Sequence, residues 1–207
     1  MNRTRVLLTG FDPFHDDPVN AAWEVVQEVA ASDLAGIDLH VQQIPTVFHT
    51  SLDVLAQAIR QVQPDVVLCL GQAGGRAAIS IERIGVNLDD ARIPDNAGQQ
   101  PREVPIVAGG PAAYWSGLPV RDLVTRLREA GIPAEESWSA GHFVCNHVLY
   151  GLMHLLQAPE FQTQGVVGGF IHVPYLPEQA ARHPNTPCLG RAEMVRALRL
   201  VLDALKR

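Results

Sequence analysis

Along the chain, short apolar runs alternate with stretches whose apolar residues recur every three to four positions, and this alternation predicts an order of strands and helices. "RVLLTG" at 5–10 reads as a strand, "AAWEVVQEVA" at 21–30 as a helix, "IDLHVQQI" at 37–44 as a strand and "SLDVLAQAIRQV" at 51–62 as a helix. "DVVLCLG" at 65–71 is too continuously apolar to have a wet face, which predicts a strand with helices packed on both sides. "AAISIERIGVN" at 77–87 alternates as a further strand, and "VRDLVTRLREAGIP" at 120–133 is a helix closed by Gly131 with Pro133 beyond it. Residues 144–156 read as a helix and "GVVGGFIHVPY" at 165–175 as a strand, while Val195, Leu198, Val201, Leu202 and Leu205 mark the inner face of a last helix. Strand and helix in turn is α/β order. The expected fold is one domain over residues 1–207, with a mostly parallel sheet covered by helices on both faces.

One stretch breaks the rhythm. From Leu88 to Leu118 the chain is rich in Pro and Gly and holds no period, so it reads as a surface excursion or an oligomer contact, with a functional cover as the sharper alternative.

Composition narrows the function classes. The chain is 47% hydrophobic and 18% charged, which suits a packed domain and not a disordered one. Net charge is −6, and the 16 Lys and Arg are scattered singly (Arg60, Arg76, Arg92, Arg121), so no nucleic-acid partner is expected. The first apolar run stops at Thr9, too short for a signal-peptide core, and no later run reaches membrane-spanning length, so no membrane association is expected. Cys69, Cys145 and Cys188 form no C-x-x-C pair, and reduced thiols in a cytoplasm are expected. With no H-E-x-x-H and no close His/Asp cluster, neither a metal nor another cofactor is expected.

The candidate chemistry lies in "SAGHFVCNHVLYGLMHLL". A cysteine in an apolar segment is more often a small core residue than a nucleophile. Here, however, Ala140-Gly141 leads to a predicted helix start, where unpaired N–H groups and the helix dipole lower a thiol pKa, so Cys145 is the candidate nucleophile. Cys69, within a strand, and Cys188, near the prolines of a loop, read as structural. On a helix, position i+2 lies about 200° from position i, which turns His147 away from Cys145. His147 and His154 therefore read as helix-surface packing. His142 precedes the helix and could reach the thiol. His172, near the carboxyl end of a predicted parallel strand, is the best placed base, since open α/β sheets form their crevice there; its alternative is a satisfied polar residue at a strand end. Glu82 is the candidate third group, to fix the imidazole tautomer, with an ordinary ion pair to Arg83 or Arg92 as the alternative.

Seven blocks in order, "LLTGFDPF", "IPTVFH", "LGQAGGR", "ERIGVNLDDARIPDNAGQQP", "GGPAAYWSGLP", "AGHFVCNHVLYGLM" and "GGFIHVPYLPEQ", resemble the pyroglutamyl peptidases of type I over nearly the whole chain. The resemblance implies an open α/β/α sandwich, frequent homotetramers, and a cysteine exopeptidase that removes N-terminal pyroglutamate from peptides through a thioacyl-enzyme intermediate. It carries Cys145 as nucleophile, His172 as general base and Glu82 as the orienting acid. It also implies a lactam pocket walled by Phe11, Phe14, Thr46, Ile93 and Phe143, with Gln72 meeting the lactam amide and Arg92 joining the Cys145 N–H at the oxyanion. The chain departs from the family pattern at His15-Asp16-Asp17, Ala21-Ala22 and Ile81, which leaves the triad intact but bears on peptide residues beyond the ring. Two rival readings stay open: a phosphate-handling enzyme using the glycine-rich "LGQAGGR", which lacks the P-loop Lys-Ser/Thr, and a catalytically silent module on the same sheet.

Overall fold

The computed structural model describes residues 3–15, 17–162 and 164–207. Asp16, the middle of the His15-Asp16-Asp17 departure, therefore lies outside the described residues. The elements follow in the order β1 (Thr4–Phe11), α1 (Ala21–Ala30), β2 (Ile37–Ile44), α2 (Thr50–Val62), β3 (Val66–Gln72), β4 (Ile79–Glu82), β5 (Ile84–Val86), β6 (Ala113–Trp115), α3 (Val120–Glu129), β7 (Ala134–Ser137), α4 (Val144–Leu155), α5 (Pro159–Gln162), β8 (Val167–Val173), α6 (Pro177–Ala180) and α7 (Arg191–Ala204).

Six strands form one sheet in the order β2-β1-β3-β8-β4-β7, and β5 and β6 form a separate pair. All neighbours in the large sheet run parallel except β4 and β8. Period-2 alternation sorts each strand's side chains between two cores. Val66, Leu68 and Leu70 of β3 join Val6, Leu8, Ile79, Ile81, Ile171 and Val173 under α1, α3 and α7. Val67 and Cys69 of β3 join Leu7, Phe11 and Phe170 under α2 and α4. The buried, continuously apolar β3 thus serves both layers, as its composition required.

Two local signals set helix ends, Asn20, which the sequence reading did not single out, and Gly131, which it did. The Asn20 side chain accepts the Ala22 N–H at 3.0 Å and caps α1. Gly131, at φ +75°, ends α3 in the left-handed conformation while the Ile132 N–H returns to the Leu127 carbonyl at 2.9 Å, the 6→1 bond of a Schellman turn.

One expectation needs correction. Residues 77–87 are not one strand: β4 belongs to the large sheet and β5 pairs with β6, the chain changing partners at Arg83. The stretch from Leu88 to Leu118 lies mostly at the surface, as expected, but it is tied down. Asp95 accepts N–H bonds from Phe48 (2.9 Å), Ala97 (2.9 Å) and Gln99 (2.8 Å), and Asn96 donates to the Pro13 carbonyl at 2.9 Å, which ties this segment across the carboxyl ends of β1 and β2.

Candidate active site

Alternation along β8 and β4 puts His172 and Glu82 on the same face of the sheet, the face beneath α4. Ile171, Val173, Ile79 and Ile81 take the other face. In the antiparallel register Ser80 lies opposite His172 and Ile81 opposite Ile171. Glu82 is therefore a diagonal neighbour of His172, within reach of a long side chain. The His172 Nδ1 and the Glu82 Oε1 stand 2.7 Å apart, and both residues are buried. A carboxylate only accepts, so Nδ1 carries the proton and Nε2 keeps its lone pair.

Cys145, the second residue of α4, comes down on the adjacent strand. A Cβ added at Gly71 would stand 2.9 Å from the Cys145 Sγ, and Gly71 is the β3 partner of His172 in the parallel register. The thiol and the imidazole thus sit over neighbouring strands, about 4.8 Å apart at the backbone. Among the described residues no side chain caps α4. Its first N–H groups remain available to an incoming oxyanion. Asn146 fixes the height of the helix by donating to the carbonyls of Val86 (2.9 Å) and Leu88 (3.0 Å) and accepting the Val86 N–H (3.0 Å).

The electrostatics differ from the sequence expectation for the thiol. Burial, reinforced by the Glu82 charge, pushes the Cys145 thiol up to about 12, against the lowering influence of Arg76. The residue as a whole is half-buried. Helix placement does not yield a resting thiolate here. For Glu82, burial alone would raise the pKa, but the hydrogen bond and charge of His172, with Ser137 and Arg76, hold it below its ordinary value. His172 is lowered from 6.5, chiefly by burial and against the pull of Glu82. A neutral imidazole beside a protonated thiol suits proton transfer concerted with attack.

The other candidates separate clearly. Phe14 and Phe48 flank Phe143, with ring centroids 6.2 and 5.4 Å away, and Phe11 packs 6.2 Å from Phe170. Phe14, Arg92 and Ile93 line a cleft of about 550 Å³ together with Gly74, Gly75 and Tyr175. Thr46 is engaged with Asp12, its N–H donating to Oδ1 at 2.6 Å and its hydroxyl to the carbonyl at 3.2 Å. Gln72 falls on the opposite face of β3 from Cys145. Its Oε1 accepts from the Ala21 N–H and from the Gln179 Nε2, both at 2.8 Å, so its carboxamide cannot meet a ring bound beside the thiol. Only its main chain could do so. His142 is exposed, and its carbonyl accepts the Asp90 N–H at 3.1 Å.

His147 corrects the surface reading. It turns away from Cys145, as helix geometry requires, but into a second buried pair: its Nδ1 lies 2.8 Å from the Asp89 Oδ2 and its Nε2 accepts the His49 N–H at 3.0 Å. His154 stacks on Tyr150 at 6.3 Å and lies 2.9 Å from the Tyr114 hydroxyl. Arg76 was passed over in the sequence as one scattered cation, yet it bonds Glu82 at 2.8 Å. Phe48 was legible only as part of "IPTVFH". With Arg76 committed, the glycine-rich loop loses the cation a phosphate cradle would use. Among the described residues no group of three or more His, Cys, Asp or Glu could hold a metal ion.

A thiol and a carboxylate-bound imidazole under one helix start are the equipment of a cysteine-dependent acyl hydrolase. A family model described as pyroglutamyl peptidase matches residues 4–207. The chain is 51% identical over 202 residues to pyrrolidone-carboxylate peptidase 1 of Ralstonia nicotianae, covering 98% of this chain and 93% of that protein. It is 52% identical to pyrrolidone-carboxylate peptidase of Gloeobacter violaceus, covering 98% and 97%. The crystal structure of pyroglutamyl peptidase I from Bacillus amyloliquefaciens matches with a TM-score of 0.91 at 46% identity, over 96% of this chain and 93% of that one. A mutant pyrrolidone carboxyl peptidase from Pyrococcus furiosus matches at 0.91 with 35% identity, over 97% of each chain. The chain belongs to the pyroglutamyl peptidase family.

Proposed function

We propose that this protein removes N-terminal pyroglutamate from peptides with Cys145 as nucleophile, His172 as general base and acid, and Glu82 as the group that orients the imidazole. The observation that carries the residue assignment is the 2.7 Å contact between His172 Nδ1 and Glu82 Oε1 on the face where the Cys145 Sγ rests over Gly71. Cys145 Sγ attacks the pyroglutamyl carbonyl while its proton passes to His172 Nε2. The oxyanion forms at the start of α4, where the Cys145 N–H, with Arg92 from the cleft wall, would receive it; one such donor is worth roughly 10²–10³ in rate. Collapse breaks the C–N bond, and His172 returns the proton to the leaving amine. Water, deprotonated by the same imidazole, then cleaves the thioester and releases pyroglutamate.

A neutral lactam suits a pocket walled by Phe11, Phe14, Ile93 and Phe143, with Thr46 bracing it and the Gln72 main chain facing the ring amide. A glutaminyl or prolyl terminus would bring an unpaired ammonium into the same space. Matched chromogenic amides of pyroglutamate, glutamine and proline test the reading. The pyroglutamyl amide should be turned over with kcat/KM at least about a thousandfold above the other two. Comparable rates would remove the substrate assignment.

We place the enzyme in the cytoplasm, as a single-domain chain and a homotetramer. All three cysteines are free, which suits a reducing compartment. Among the described residues no helix is long and apolar enough to cross a membrane. One sheet with a core on each face supports a single domain, and Trp115 and Trp138, 64% and 62% exposed, offer an apolar surface that a second copy would cover.

A further inference from the structure

Arg76 follows the glycine pair at the end of β3, and its side chain is 25% exposed. Its Nη1 donates to the Glu82 Oε1 at 2.8 Å and to the Ser137 Oγ at 3.2 Å, and its Nη2 donates to the Ser139 carbonyl at 2.9 Å. Ser137 is the β7 partner of Glu82 and opens the segment that runs through Ser139 and Phe143 to Cys145. One guanidinium therefore joins the turn after β3, the acid on β4 and the approach to the thiol.

We propose that Arg76 is a positioning residue that frames Glu82 with the approach to Cys145 and supplies the counter-charge that leaves His172 neutral. This rests on the triad assignment made above. Glu82 is fully buried, and Oε1 takes both its bonds, from His172 and from Arg76, while Oε2 has no partner among the described residues. A buried carboxylate needs a compensating cation. Two groups in contact with Glu82 can supply it: the guanidinium, which is always charged, or the imidazole in its protonated form. With Arg76 in place the imidazole need not be protonated, and its Nε2 stays free to take the thiol proton. Among the described residues the charged and titratable groups on the His172 side are Glu82 from β4, Cys145 from α4, Cys69 on the same face of β3, and Arg76. Glu135 of β7 stands one strand further out, bonded to Ser80 at 2.7 Å. Arg76 is the cation in that set, and its charge acts to lower the His172 pKa.

Steady-state profiles from about pH 5 to pH 9 on wild type, Arg76→Gln and Arg76→Lys read the effect. Arg76→Gln should lower kcat at neutral pH by about ten- to a hundredfold with KM changed less than about threefold, and should move the acid limb up by about one pH unit or more. Arg76→Lys, which keeps the charge but not the fork, should retain a limb near that of wild type with part of the loss in kcat. An acid limb in Arg76→Gln within about 0.3 units of wild type would overturn the proposal. Should the variant not fold, the wild-type protein decides alone: ¹⁵N spectra of the His172 ring should show a neutral imidazole at pH 7, and titration above its ordinary value would overturn the proposal. Inactivity of wild type on the pyroglutamyl amide would instead sink the substrate reading. The His172 spectra, and the pH dependence of Cys145 alkylation followed by mass spectrometry in wild type and Arg76→Gln, would still judge Arg76.

Discussion

Gly71→Ala places a single methyl group where the site has no room for it. A Cβ at this position would stand 2.9 Å from the Cys145 Sγ and 2.7 Å from the Phe170 Cζ, whereas carbon contacts relax at about 3.5–4.0 Å. The overlap is therefore about 0.8 Å or more on the ring side and about 0.6 Å or more on the sulfur side. Phe170 cannot yield, because it is fully buried with Phe11 at 6.2 Å and the His172 ring at 4.8 Å. Gly71 cannot retreat, because it is held in the β3–β8 ladder. The strain passes to the thiol and the start of α4. Overpacking of this kind costs about 1–3 kcal/mol, or roughly 2–4 °C of Tm per kcal/mol for a chain of this size. A sulfur displaced by about 1 Å from its line of attack loses on the order of a hundredfold in kcat/KM. Hydrolysis of a pyroglutamyl amide together with urea unfolding measures both. Gly190→Ala is the control for activity, since a Cβ there meets open space and its φ is −63°. Activity of Gly71→Ala within about threefold of wild type would refute the claim that this glycine makes the seat of the thiol.

Cys145→Ser should abolish turnover with the Tm unchanged, and Glu82→Gln should lower kcat by about 10³-fold or more at nearly constant KM, because the imidazole loses its charged orienter; both are read from initial rates and thermal melts. His147→Ala should act on stability, costing about 1–3 kcal/mol by leaving the buried Asp89 without its hydrogen-bond donor, and urea unfolding that shows less than about 0.5 kcal/mol would contradict the pairing. Because burial lowers the His172 pKa, the competent neutral form is present at pH 7 and is lost as pH falls through a value below 6.5; kcat/KM should decline there, and the stability contributed by keeping this imidazole uncharged should be lost over the same window. With the thiol near 12, the rate of Cys145 alkylation by iodoacetamide should keep rising well above pH 9 instead of levelling off near neutrality.

Much of this molecule was legible in the chain because the determining patterns are local. The limits of α1 and β2 read directly from their periodicity, Gly131 marks a helix end by chemistry confined to a few bonds, and the two-sided burial of β3 follows from its unbroken apolar run. The place of Cys145 at a helix start and of His172 near a strand end was legible from local pattern, and seven ordered blocks pointed to one family. What the chain could not reveal depends on which strands become neighbours. The antiparallel seating of β4 against β8 brings Glu82 to His172 across 90 residues and sends β5 to a different partner, although 77–87 alternates as one strand. Gln72 was named for the ring, but its place on β3 commits its carboxamide to α1, since alternation fixes the two faces while only packing decides which face holds the site. His147 looks like any surface histidine until Asp89 closes over it. The thiol is raised and not lowered, because desolvation by the surrounding layers outweighs a helix-end field that sequence alone could anticipate. Local backbone and periodicity terms are written in neighbouring residues, whereas pairing, burial and charge compensation depend on groups that meet only when the sheet is assembled.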